Sequence, residues 1–94
     1  MISTCSAVKQ AKQQVSCDLA GEAAILSLRN GVYYGLNPIG ARIWNLIQEP
    51  KSVGELRDAI VAEYEVQPEA CERDLLALLA DLEKNELIEV TQAS

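Results

Sequence analysis

The dipeptide Asn30-Gly31 restricts the fold more than any other feature of this sequence. A two-residue type I′ turn needs positive φ at both central positions, and Asn and Gly are residues that tolerate it. The segments on either side, Ala23 to Leu28 and Val32 to Leu36, are apolar runs of the length typical of strands. The sequence therefore predicts an antiparallel hairpin at the centre of the fold.

A further strand is predicted before this hairpin. From Lys12 onward apolar and polar residues alternate, with Val15, Cys17 and Leu19 on one face, as in a half-buried strand. A turn at Gly21 separates this strand from the hairpin. Residues 1–11 are small and polar without a sustained period, which predicts a flexible N-terminal segment.

After the hairpin the hydrophobic period changes from that of strands to that of helices. Asn37-Pro38 predicts an N-cap with proline in the first helical turn, and this first helix extends to about Gln48. Ser52 and Glu55 form a capping-box pattern at the start of a second helix that extends to about Tyr64. Pro68 begins a third helix that ends near Asn85.

These elements predict one α+β domain over residues 12–90, with 91–94 as a C-terminal tail. A three-stranded antiparallel sheet is followed by three helices, and a short turn joins the second and third helices, as in a winged helix-turn-helix. The segment from Leu87 to Val90 is either a short strand or an extended tail.

Composition restricts the function. The chain has a formal net charge of −6, which argues against nucleic acid and the anionic surface of a membrane as partners. It has no histidine, which removes the commonest general base and metal ligand. Its three cysteines have no CxxC spacing, so no disulfide framework, metal site or cofactor is predicted. There is no secretion signal and no apolar run of membrane-spanning length, so we expect a cytoplasmic protein without catalytic residues.

The segment from Gly31 to Trp44 resembles the signature of the PqqD family, in which a strand ends in Tyr-x-Leu-Asn and a helix carries Gly-x-x-Ile-Trp. The resemblance extends over about Val15 to Val90. It implies a recognition element for ribosomally synthesised and post-translationally modified peptides (RiPPs). Such an element binds the leader segment of a precursor peptide, which adds a strand beside the third strand and lies against the third helix.

The motif Tyr-Tyr-x-Leu-Asn-Pro-x-Gly is similar to that of the stand-alone elements of lasso-peptide clusters. This resemblance implies a leader protease or other maturation enzyme as partner.

The physical basis of such binding is β-augmentation, in which an edge strand binds an extended peptide while neighbouring apolar side chains form pockets. Period two places Val32 and Tyr34 on the pocket side, and Tyr33 and Gly35 outward. The predicted peptide-binding residues are Val32, Tyr33, Tyr34, Gly35, Glu72, Leu75, Leu76, Leu79 and Glu83.

On the third helix we predict that Leu76 and Leu79 form the open wall of the groove. The stripe that faces the sheet is predicted to be Cys71, Leu75, Leu78 and Leu82. Trp44 and Cys71 are interpreted as core residues. Ordinary strand or core packing remains an alternative for the tyrosines and leucines.

Three other functions compete with this interpretation. A PqqD-type chaperone would present its peptide to a radical SAM enzyme of quinone-cofactor synthesis. A winged-helix DNA-binding protein fits the helix order, but the acidic third helix argues against it. An enzyme would need a catalytic constellation that these residues do not supply. The exposed edge strand also offers a route to a homodimer.

Overall fold

The computed structural model describes residues 2, 5–12, 14–19 and 22–91, apart from the side chains of residues 18 and 19. Predicted features at Gly21, at residues 1, 3 and 4 of the N-terminal segment and at residues 92–94 of the tail lie outside this part. The described elements are β1 Ala7–Gln10, β2 Gln14–Leu19, β3 Glu22–Ser27, β4 Tyr33–Leu36, α1 Pro38–Leu46, β5 Lys51–Ser52, α2 Val53–Glu63, α3 Pro68–Lys84 and β6 Ile88–Thr91. The predicted α+β class is confirmed.

The predicted three-stranded sheet is present, in the order β2-β3-β4 with both pairs antiparallel. Burial alternates along β3, where Ala23, Ile25 and Ser27 are buried. These residues form the inner face of the sheet, which packs on the helices. The opposite face, called here the outer face, carries Ala24 and Leu26.

The hairpin between β3 and β4 is confirmed, but its turn differs from the predicted one. Ser27 N–H donates to the Val32 carbonyl at 3.0 Å and Gly31 N–H donates to the Ser27 carbonyl at 2.8 Å, which closes a four-residue loop. Gly31 has a φ of +71°, whereas Asn30 does not adopt positive φ. Asn30 instead accepts a hydrogen bond from Val32 N–H through its side chain at 3.0 Å, so the type I′ assignment was wrong.

A second sheet, in the order β5-β1-β6, lies where the sequence predicted little regular structure. β1 falls within the segment 1–11 and pairs with both β5 and β6. Val8 of β1 is fully buried, although its neighbours have no strand period. Pairing with distant segments therefore forms this strand. The open question at Leu87–Val90 is answered by β6.

The helices begin at the predicted signals. The Asn37 side chain accepts a hydrogen bond from Gly40 N–H at 2.8 Å, which caps α1. At α2 the capping box is complete: the Ser52 hydroxyl accepts from Glu55 N–H at 3.1 Å, and the Glu55 carboxylate accepts from Ser52 N–H at 2.9 Å. Pro68 is in the first turn of α3. Each helix ends within two residues of its predicted end.

The hydrophobic core lies between the helices and the two sheets. Trp44 is 1% exposed, which confirms its interpretation as a core residue. Ile47, Leu79 and Leu82 are also buried there. Within the described residues, no helix combines the length and the apolar character needed to cross a membrane.

Candidate peptide-binding groove

A groove of about 400 Å³ lies between β4, the start of α1 and the N-terminal half of α3. Its floor is apolar and includes the buried residues Leu36, Ile43, Ile60 and Leu75. The complete lining is Tyr34, Gly35, Leu36, Asn37, Ile39, Gly40, Ile43, Ile60, Val66, Ala70, Cys71, Asp74, Leu75 and Leu78. An apolar floor with few polar groups is typical of sites that bind apolar side chains.

β4 borders this groove as an edge strand of its sheet. The bond between Ser27 N–H and the Val32 carbonyl fixes the alternation of the antiparallel ladder. Tyr34 lies opposite Ile25 in the register and therefore bonds to β3, whereas the N–H and C=O groups of Tyr33 and Gly35 point away from β3. Two residues thus offer backbone donors and acceptors to an added strand.

Tyr34 of β4 lines the groove, and its side chain interacts with Asp81 of α3. The pKa of its phenol is raised above the ordinary 10.0, first by burial and then by the charge of Asp81 and a side-chain hydrogen bond with it. The phenol therefore stays protonated at neutral pH and offers both an apolar ring and a hydroxyl to the groove.

The α3 wall consists of residues spaced three and four apart. Cys71, Asp74, Leu75 and Leu78 share one face of the helix and line the groove. Burial raises the pKa of the Cys71 thiol, and the Asp74 carboxylate raises it further, while Arg57 acts in the opposite direction. The thiol is therefore held in its neutral, weakly nucleophilic form, consistent with an apolar contact residue.

The structure brings three of the nine predicted site residues into the groove, namely Tyr34, Gly35 and Leu75. Val32 and Tyr33 lie at the start of the edge strand, with side chains 47% and 71% exposed outside the lining. Their peptide-binding role stays a prediction.

The other four predicted residues are on α3 but not in the groove lining. Leu79 is fully buried in the core, so the predicted orientation toward the open wall was wrong. Leu76 is half-buried against the core, and Glu72 forms an ion pair with Arg57 of α2 at 2.8 Å. Glu83 is exposed.

The predicted wall was rotated on α3 because the helix has apolar residues on too many sides. Leu75, Leu76, Leu78, Leu79 and Leu82 cover a wide arc, and the hydrophobic period cannot show which part of it packs on α2 and β6. Leu78 and Asp74 were therefore missed. Asp74 lies just outside this arc, on the same side of the helix as Leu78 one turn later, and a charged residue at that border is a local sign of a solvent-facing cleft.

In the part of the chain that the structure describes, no group of three or more His, Cys, Asp or Glu residues could hold a metal ion.

Among protein families, the one described as coenzyme PQQ synthesis protein D (PqqD) matches residues 22–88. The chain belongs to the PqqD family. The match covers the edge strand, the groove and all three helices, which confirms the family predicted from the motifs between Gly31 and Trp44.

Two solved structures are similar to this PqqD-family chain. TbiB1, solved in complex with the TbiA(beta) leader peptide, is 41% identical with a TM-score of 0.81, and the alignment covers 92% of this chain and 99% of that one. A lasso peptide synthetase B1 complexed with its leader peptide is 24% identical with a TM-score of 0.76, with 87% and 96% covered. The second similarity shows the fold alone. No curated protein matches the chain.

Proposed function

We propose that this PqqD-family chain binds the leader segment of a ribosomally made precursor peptide. The leader would add a strand to β4 and place alternate side chains in the groove. The observation that carries this proposal is the open edge of β4, where the backbone groups of Tyr33 and Gly35 point outward directly beside an apolar cavity. The similarity to TbiB1, which was solved with a leader peptide, supports the same ligand class.

The contacts follow from this geometry. The peptide backbone would bond to Tyr33 and Gly35, and its inward side chains would meet Tyr34, Leu75 and Leu78. Gly35 has open space where a side chain would begin, so the peptide can approach closely at this position. Asp74 on the rim would favour a leader with a nearby Lys or Arg, although such a pair contributes at most about 1 kcal/mol.

Delivery to a processing enzyme is the second part of the proposal. The motif Tyr-Tyr-x-Leu-Asn-Pro-x-Gly, which resembles the stand-alone elements of lasso-peptide clusters, favours a lasso-peptide leader protease as that enzyme. The family description favours an alternative, a radical SAM enzyme of quinone-cofactor synthesis. Reconstitution separates them: the chain should accelerate leader cleavage by a lasso-peptide protease at limiting precursor concentration. Acceleration of only a radical SAM reaction would favour the alternative.

Gly35→Pro tests strand addition. The N–H of Gly35 points away from β3, so proline at this position removes a donor needed by the peptide but no hydrogen bond of the sheet. Edge strands also tolerate proline. The probe is fluorescein-labelled TbiA(beta) leader, with TbiB1 as a positive control. We expect saturable anisotropy for the parent chain and a loss of affinity of about tenfold or more for Gly35→Pro.

Ser16→Pro is the matched control, because Ser16 is exposed on β2, the opposite edge of the same sheet. The bond between Ser27 N–H and the Val32 carbonyl fixes which residues of β3 bond to β4 and which bond to β2. By this alternation the N–H of Ser16 also points away from β3. We expect leader affinity to stay within about twofold of the parent. Equal losses in both variants, or a greater loss in Ser16→Pro, would reject β4 as the binding edge.

A further inference from the structure

The outer face of the β2-β3-β4 sheet is apolar and exposed. Val15, Leu26 and Tyr33 lie directly opposite one another across the three strands, and so form one row on this face. Cys17, Ala24 and Gly35 form the adjacent row. Val15 is 54% exposed and Tyr33 is 71% exposed, and Leu28 in the adjoining hairpin loop is 59% exposed.

The two rows differ in height. The first carries large side chains and forms a ridge, whereas the second carries the small residues Cys17, Ala24 and Gly35 and forms a trough. No charged residue belongs to either row. A surface with a ridge beside a trough of the same length is complementary to a copy of itself.

We propose that a second copy of this chain packs on this outer face, with the two sheets face to face. The twofold axis lies midway between the two sheets, parallel to the rows and perpendicular to the strands, and it passes between the two rows. This axis places the ridge of each copy over the trough of the other. The strands of the two copies then run in opposite directions, about 10 Å apart, as in a β-sandwich.

Charge supports this arrangement. Glu22 lies at the beginning of β3 and Arg29 lies just beyond its end, both exposed. Because the strands of the two copies run in opposite directions, Glu22 of one copy approaches Arg29 of the other. Arg29 also pairs with Glu86 of its own chain at 3.1 Å, but its side chain remains 55% exposed and can take a second partner.

The area is sufficient for a weak dimer. Covering the exposed ridge and trough in both copies removes on the order of 1,000 Å² from solvent, which is the lower limit for a specific interface. We therefore expect association that depends on concentration. Both grooves stay open, because they lie on the inner side of the sheet. The dimer needs no peptide and does not depend on the proposed function.

Sedimentation equilibrium of the peptide-free protein tests the proposal, from about 10 μM to about 1 mM, a range that brackets weak dissociation constants. The mass should rise from 10.2 kDa toward twice that value. Val15→Lys places an ammonium group in the ridge and should weaken association by about tenfold or more. Ser16→Lys adds the same charge to the other face of the same strand and should have no such effect.

Crosslinking supplies a measurement that needs no destabilising change. Of the three free cysteines, Cys71 is buried, so in Cys5→Ser the one exposed thiol is Cys17. The two Cys17 sulfurs of the proposed dimer are about 10 Å apart, from the spacing of sheets and of residues along strands. A bis-maleimide of that length should give a covalent dimer, with yield rising with protein concentration.

Three results would overturn this inference. The first is a monomer at all concentrations, which would leave the face to a different protein. The second is an equal effect of Val15→Lys and Ser16→Lys. The third is a dimer that pairs through the β4 edge. It would be lost in Gly35→Pro, whereas Val15→Lys would still dimerise but would give no Cys17 crosslink.

Discussion

Leu76 and Leu78 are chemically identical and two residues apart, yet the structure gives them different surroundings. Leu78 lines the groove, whereas Leu76 packs on the outside of the core. A helix turns about 100° per residue, so a separation of two residues places side chains on nearly opposite faces. The pair therefore distinguishes the groove of the structure from the wall predicted by the sequence.

We expect Leu78→Ala to weaken leader binding by about 1–3 kcal/mol, or roughly 5- to 150-fold, because apolar surface buried by the peptide is removed. Leu76→Ala deletes the same atoms outside the groove and should leave the affinity unchanged. Titration of the labelled leader measures both, and thermal melting confirms that each variant is folded. Loss of affinity in Leu76→Ala alone would support the sequence-based wall instead.

Tyr34 should make stability fall at high pH. Because its pKa is raised in the folded state, the folded chain holds the phenolic proton more tightly than the unfolded chain. Its contribution to stability is therefore complete below pH 10 and is lost as the pH rises through the folded-state value.

The phenolate absorbance that disappears in Tyr34→Phe should have a midpoint above pH 10, and Asp81→Asn should lower that midpoint. The free energy of unfolding should decline over the same range in the parent and less steeply in Tyr34→Phe. A midpoint at or below 10 would contradict the assigned surroundings of Tyr34.

At the scale of secondary structure, the junction between β4 and α1 shapes the groove. Asn37 ends the strand, caps the helix and lines the cavity. A side chain added at Gly40 would come within 3.2 Å of Asn37 Oδ1, so the glycine keeps this cap compact. Strand, cap and first turn thus form one unit, which explains why the motif of this region is continuous in sequence.

Asn37→Ala and Ser52→Ala remove comparable caps from α1 and α2. Each should lower the free energy of unfolding by about 1 kcal/mol, because one helical N–H loses its partner. Only Asn37→Ala should also weaken leader binding, since Ser52 is not in the groove lining. Urea denaturation and leader titration measure the two effects. A loss of affinity with Ser52→Ala equal to that with Asn37→Ala would show that the caps act through general stability.

For the whole molecule, charge separates this fold from the DNA-binding proteins with a similar helix order. The chain carries a net charge of −6, and α3, which corresponds to a recognition helix, carries Glu69, Glu72, Asp74, Asp81 and Glu83 against Arg73 and Lys84. Phosphate contacts supply most of the affinity for nucleic acid, so this surface is unsuited to it.

We expect no binding of fluorescent duplex DNA at physiological salt and protein concentrations up to about 100 μM, the weak end of ordinary non-specific binding. Fluorescence anisotropy measures this, with the labelled leader as the positive control. Sequence-dependent binding at micromolar protein would instead favour a winged-helix DNA-binding function.

Local signals in the sequence determined most of the elements. The hairpin, the caps at Asn37 and Ser52 and the proline at the start of α3 each depend on neighbouring residues, so they could be recognised without the fold. The same holds for the family motif from Gly31 to Trp44. The wrong turn type predicted at Asn30-Gly31 affected only the loop, because the hairpin is present with four loop residues instead of the predicted two.

Tertiary structure decided which surfaces these elements present. β1 forms because Val8 and its neighbours pair with residues of β5 and β6, which are more than 40 residues away in the chain. On α3, burial of Leu79 in the core directs Asp74 and Leu78 toward β4. Hydrophobic period shows that a helix has an apolar side, but the direction of that side depends on distant residues, because packing contacts join parts of the chain that share no local pattern.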